Sequence, residues 1–186
     1  MRSKTILAGC ANALAAFMLF AALMAPGASA RGLVAPASKC ANESGFHNEA
    51  AARKSMVCLT NYARHHKGLK RYKASSKLTR SATTKASDIF SCNDFSHTAC
   101  GRDFTFWMDK YGYTDKPGWS AGENIAWGSG SFGSSRAIFR AWLNSPGHRH
   151  AILSKDYVDL GIGLDHGRLD GVPGARVWVQ HFGRRN

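Results

Sequence analysis

Val158-Asp159-Leu160-Gly161-Ile162-Gly163-Leu164 and, further on, Val177-Trp178-Val179-Gln180 decide the fold of this chain. In both runs branched apolar residues recur at every second position, the period of a strand. Asp170-Gly171 and Pro173-Gly174 lie between them and predict an antiparallel hairpin with a long loop. Residues 123–127 alternate in the same way and predict a further strand. Upstream the period changes to that of helices. From Asn48, a side chain suited to capping, a helix is expected to about residue 67, with Met56, Leu59 and Ala63 on one face and Gly68 as its stop. Leu78, Ala82, Ala86 and Ile89 mark a second helix, and Phe104, Trp107, Met108 and Tyr111 a third that Gly112 ends. A flexible loop at residues 128–133 leads to a helix carrying Ile138, Phe139, Trp142 and Leu143, which Pro146-Gly147 should terminate. Helices precede paired strands, so the class is α+β and not a doubly wound sheet.

The first thirty residues have the composition of a leader. Arg2 and Lys4 precede an apolar run over residues 6–25, and Ala28-Ser29-Ala30 offers small residues for cleavage. Leu7-Ala8-Gly9-Cys10 resembles a lipoprotein processing box, but most of the apolar length follows Cys10 when it should precede it. Retention of the run as an anchor is the alternative to cleavage. The expected organisation is a signal peptide at 1–30, an arm at 31–45 and one domain at 46–186, in a chain secreted to the extracellular space or periplasm. No later apolar run is long enough to cross a bilayer.

The 186 residues hold 25 Lys and Arg against 12 Asp and Glu, a formal charge of +13 that loss of Arg2 and Lys4 lowers to +11. Such a balance favours anionic partners such as glycans, envelope polymers or lipid headgroups; solubility alone is the plainer reading. Cys40, Cys58, Cys92 and Cys100 remain after cleavage, and an even count in an exported chain implies disulfides. Of three possible pairings, Cys92 with Cys100 would close a short loop around Phe95-Ser96-His97, and Cys40 with Cys58 would tie the arm to the first helix. These two are expected.

The groups able to bind a divalent metal or to move protons near neutral pH are His97, Glu123 and His148. His97 sits in the expected cross-linked loop and His148 follows Pro146-Gly147, so both should be held rigidly. An isolated surface histidine is commonly inert, and Glu123 could equally pair with an arginine. Asn124 could simply organise its turn. Ser145 lies close to His148 but lacks the strained elbow and the aspartate that a serine nucleophile needs.

Taken together, Asn61 and Arg64, Leu78 and Ala82, Phe95-Ser96-His97, Gly122-Glu123-Asn124-Ile125, Trp142 with Ser145-Pro146-Gly147-His148-Arg149, Ile152-Leu153, Gly161-Ile162-Gly163 and Trp178-Val179-Gln180-His181-Phe182-Gly183 resemble the CAP superfamily. This is the SCP-like group of cysteine-rich secretory, antigen 5 and pathogenesis-related 1 proteins, in its bacterial form. The resemblance covers about residues 50–183. It implies a three-layer α-β-α sandwich with a central antiparallel sheet, and a cleft holding two histidines and two acidic residues. His97, Glu123 and His148 match three of these four; Ser145 stands where many eukaryotic members carry glutamate. Gln180 is a further cleft candidate.

The family hosts several activities, so fold does not decide function. The resemblance implies a non-catalytic, ligand-binding module whose cleft holds a divalent cation, zinc or another, on His97, His148 and Glu123. The alternatives are a hydrolase acting on peptide or phosphodiester through the same three residues, a basic protein of envelope or host surfaces, and a lipid binder. The missing second carboxylate counts against the enzyme. Phe104, Phe106, Trp107, Trp119, Trp127 and Phe132 could line a greasy groove, although core packing accounts for most of them. The partners expected are a small apolar, lipid, glycan or protein ligand and anionic surfaces. Nucleic acid is not expected, and a monomer is.

Overall fold

The computed structural model describes residues 32–41 and 48–185, so the leader and part of the arm lie outside the described residues. The order of elements is α1 (Glu49–His66), β1 (Lys73–Ala74), α2 (Ser76–Ser91), α3 (Phe106–Lys110), β2 (Trp119–Ser129), α4 (Ser135–Asn144), α5 (Pro146–Leu153), β3 (Asp159–Leu169) and β4 (Val172–Arg185). Four strands form one sheet in the order β1-β3-β4-β2. β2, β4 and β3 are antiparallel, as expected; the two-residue β1 pairs parallel to β3, so the sheet is mixed.

Helices cover both faces of the sheet. α1, α4 and α5 bury Met56, Leu59, Phe139, Trp142 and Ile152 against Leu160, Ile162, Leu164, Trp178 and Phe182. On the other face α2 buries Ala82, Ala86 and Ile89 against Ile125, Val177 and Val179, while Leu78 meets Met108 and Tyr113. This is the expected three-layer sandwich. Alternation in β3 therefore sorts residues between two buried faces, not between core and solvent. Its large residues fill the α1 side. Gly161 and Gly163 face α2 so closely that a β-carbon on either would meet the backbone of Leu78 or Ala82.

The helix boundaries follow their caps. Asn48 accepts from the Ala51 amide at 2.9 Å to open α1, and Gly68 follows its end with φ of 67°. The α4 end contains a correction. Pro146-Gly147 does not merely stop a helix: Ser145 closes α4 and Pro146 starts α5, because proline suits a first turn that needs no amide donor. The hairpin loop is likewise tighter than expected. Asp170 and Gly171, both at positive φ, make the whole turn, and Pro173-Gly174 belong to β4. Residues 130–133, expected as a flexible loop, form a short 3-10 turn.

Both expected disulfides are formed, Cys40–Cys58 and Cys92–Cys100. The first ties the described part of the arm to α1. Leu33 and Ala35 are buried there, and Arg136 of α4 donates to the carbonyls of Ala35 and Cys40.

Candidate functional site

β2 forms one edge of the sheet, and its residues point alternately into the two helical layers. Glu123 faces the α2 side and Asn124 the α1 side. The β2–β4 register then sets Glu123 opposite His181 and Asn124 opposite Gln180.

Both oxygens of Glu123 are occupied. His97 Nδ1 lies 2.7 Å from Oε1, and His181 Nε2 lies 2.8 Å from Oε2. The Glu123 side chain is 2 % exposed and that of His181 0 %, whereas His97 is 57 % exposed. Burial by itself would raise the Glu123 carboxyl. Hydrogen bonds from His181 and His97, with the charge of Lys85, outweigh that and hold it below its ordinary value. For His97 the bond to Glu123 prevails over burial, and the imidazole is raised.

His181 Nδ1 is buried and has no hydrogen-bond partner. A bare lone pair costs less there than an orphaned N–H, so the proton belongs on Nε2, donated to Glu123. With Glu123 accepting from both rings, His97 carries its proton on Nδ1. Its Nε2 keeps a lone pair.

Lys85 of α2 fixes the backbone beneath. Its ammonium is 1 % exposed and donates to the His97 carbonyl at 2.7 Å; burial lowers it, against the nearby charges of Glu123 and Asp88. The Cys92–Cys100 bridge closes the same loop, as the sequence implied.

His148 comes from the other layer, in the first turn of α5. Its Nδ1 lies 2.7 Å from the Ser145 hydroxyl, the residue that caps that helix. Ser145 thus orients His148. Burial, joined by the charge of His97, lowers His148. A serine nucleophile would need the second imidazole nitrogen held by an acid, and among the described residues it has no such partner.

Asn124 and Gln180 lie behind the cleft. Gln180 was expected in it, but is fully buried and donates to Thr60 Oγ1 at 2.9 Å. Asn124 donates to Gln180 Oε1 and to the His148 carbonyl, both at 3.1 Å, pinning α5 to the sheet edge. Sequence reasoning missed His181 and Lys85. The signal for His181 was its place on a strand pairing with that of Glu123, which becomes legible only once the register is known.

Glu123, expected as a direct ligand, accepts one histidine on each of its oxygens and so supports His97 from behind. The donor atoms of His97, Glu123 and His148 do not all lie within 4.8 Å of one another. Among the described residues Glu49, Asp165 and His166 do so, at the start of α1 and on β3, where His166 Nδ1 stands 3.2 Å from Glu49. Of the aromatic residues proposed as a groove, Phe104 packs against Leu78, Met108 and Tyr113, and Phe106 lies edge-on to Trp107. Trp107 donates to Asp88 at 2.6 Å and stacks on Tyr111, while Phe132 is 79 % exposed.

A model of the cysteine-rich secretory protein family, CAP, matches residues 57–182. YkwD of Bacillus subtilis (strain 168) is 34 % identical over 134 residues, which are 71 % of this chain and 47 % of YkwD. The chain spans less than half the length of the curated relatives it matches. Among solved structures, an extracellular protein of Bacillus anthracis containing an SCP domain is 26 % identical with a TM-score of 0.59, over 72 % of this chain and 40 % of that one. An outer surface protein of Borrelia burgdorferi has the same TM-score at 20 % identity, over 78 % of this chain and 98 % of its own, and shows the fold alone. Among the described residues no helix is long and apolar enough to cross a membrane.

Proposed function

The chain belongs to the cysteine-rich secretory protein (CAP) family, and from that premise we propose a secreted, non-catalytic binding module whose cleft takes a divalent cation on His97 and His148. Secretion is supported by the leader-like residues 1–30 and by the similar protein of Bacillus anthracis described as extracellular. The observation that carries the cation reading is the Glu123 carboxylate with both oxygens used, one by an exposed histidine and one by a buried one. A carboxylate behind an imidazole fixes the tautomer and raises the basicity of the outer nitrogen, the support found behind metal-bound histidines.

The donor set fits a borderline cation such as zinc. His97 and His148 each have Nδ1 engaged and one further ring nitrogen to offer. Bound there, the cation would leave coordination positions open to oxygen atoms of a ligand. The chain's own part is to orient both rings: Glu123 and Lys85 for His97, Ser145 and Asn124 for His148. A non-catalytic role fits a cleft in which Ser145, and no second carboxylate, stands against His148.

Calorimetric titration of the purified protein with zinc at neutral pH tests this, beside His97→Ala and His148→Ala. One site, lost in both variants, is the expected result. Heat that neither substitution changes would remove the cation from the cleft.

A further inference from the structure

A second concavity, of about 290 Å³, lies where the segment after α1 meets the α5–β3 connection and the end of β4. Arg64, Lys70, Lys155 and Arg184 border it, Leu69 and Val158 add apolar wall, and no carboxylate lines it. Two of the four cations are fixed by main chain. Arg64 donates through Nε to the Lys70 carbonyl and through Nη1 to those of Ile152 and Ser154, each at 2.8 Å. Its guanidinium carbon sits 3.5 Å from the Tyr72 ring centre. Arg184 donates through Nε to the Asp156 carbonyl at 2.9 Å and through Nη2 to that of Lys155 at 2.8 Å.

None of the four cations makes an ion pair with a described residue. The nearest acid in sequence, Asp156, accepts from the Ser154 hydroxyl at 3.0 Å and does not line the pocket. In a chain this basic, unpaired surface lysines are ordinary, and Arg64 also has the structural task of knitting α1 to the segment after α5. That task does not explain the rest. Arg64 is only 3 % exposed, and carbonyl dipoles supply no full countercharge to a buried guanidinium. Burial draws it below its ordinary value accordingly. Two immobilised guanidinium groups and two mobile ammonium groups around one apolar-walled hollow form a preorganised site for a doubly charged oxyanion.

We propose that this pocket binds a phosphate monoester carrying a compact ring or short apolar body. The four cations meet the dianionic head, and Leu69 and Val158 meet the body. The volume exceeds what a bare phosphate fills, which selects an ester over the free ion. The site shares no residue with the His97–His148 cleft, so its test is independent of the cation reading.

The test is calorimetric titration of the purified protein at low salt with phenyl phosphate, inorganic phosphate and benzyl alcohol. Phenyl phosphate should bind about tenfold more tightly than inorganic phosphate, and benzyl alcohol should give no heat. The double variant Lys70→Ala/Lys155→Ala, altered only at exposed side chains, should weaken phenyl phosphate about tenfold. Arg184→Gln should act in the same direction, and His97→Ala should have no effect. Inorganic phosphate binding as tightly as phenyl phosphate would overturn the ester claim. Absent binding, or binding that neither the lysine nor the Arg184 variant weakens, would overturn the site.

Discussion

Replacing Glu123 by glutamine strikes the cleft at the group on which the other residues depend. The carboxylate accepts from His181 and His97 at 2.8 and 2.7 Å. Glutamine keeps one acceptor oxygen and puts an amide donor in place of the other. With the amide nitrogen toward His181, that ring would have to move its proton to Nδ1, a buried position with no partner. With it toward His97, that ring moves its proton to Nε2 and loses the outward lone pair. The second is the cheaper arrangement because His97 reaches solvent. The bond between buried His181 and the carboxylate is worth about 1.5–3 kcal/mol, of which a neutral amide recovers about 1 kcal/mol. The half-exposed His97 bond is discounted for screening to at most about 1 kcal/mol. The net loss is about 0.5–3 kcal/mol, or a fall in Tm of about 2–10 °C for a domain of this size.

The pH dependence of that loss distinguishes charge from packing. Glu123 has a depressed folded value, so its contribution is complete above its ordinary 4.5 and fades as pH falls through the folded value. His97 has a raised folded value, so its smaller share is complete below its ordinary 6.5 and fades as pH rises through the folded value. The difference between the native protein and Glu123→Gln should therefore be widest between those values. Thermal unfolding followed by circular dichroism, with chelator present, at about pH 3, 5.5 and 8.5 measures it. A Tm difference that is equal at all three, or absent at the middle one, would refute the reasoning. Zinc binding by Glu123→Gln should be lost even where the variant is fully folded.

Zinc affinity should fall on acidification at the pH where His97 charges, above the ordinary imidazole value, while His148, lowered by burial, stays neutral further down; imidazole proton shifts followed by NMR during the titration would show the order. Cys92→Ser/Cys100→Ser should cost about 2–3 kcal/mol for so short a closed loop and weaken zinc by freeing the backbone under His97, which chemical denaturation and calorimetry would report together. Gly163→Ala forces a β-carbon into the Ala82 backbone of α2 and should cost about 1–3 kcal/mol or more by overpacking; an unchanged denaturation midpoint would show that α2 can retreat from the sheet.

Local signals were enough for much of this molecule. Asn48 caps α1 as its chemistry dictates, the spacing of Leu78, Ala82, Ala86 and Ile89 gave α2 its buried face, and the strands of β3 and β4 announced themselves by period. The cysteine pairing, one of three possible, followed from what each bridge would brace: the loop around His97 and the join of the arm to α1. Where period misled, two signals competed. Pro146 can end one helix or begin another, and only the cap geometry at Ser145 showed that it begins α5.

The sequence by itself determined most of the helices, the three antiparallel strands and the α+β class, because caps, turns and periodicity are properties of neighbouring residues; the resemblance to the CAP superfamily supplied the three layers and the match of His97, Glu123 and His148 to its cleft. Only the tertiary structure decided what those three do. Glu123 became a support for two histidines through a cross-strand register that places His181 against its second oxygen. Lys85 entered the site because the glycines of β3 let α2 lie directly on the sheet. Hydrogen bonds between residues far apart in the chain depend on how layers meet in space, and no local pattern of side chains carries that information.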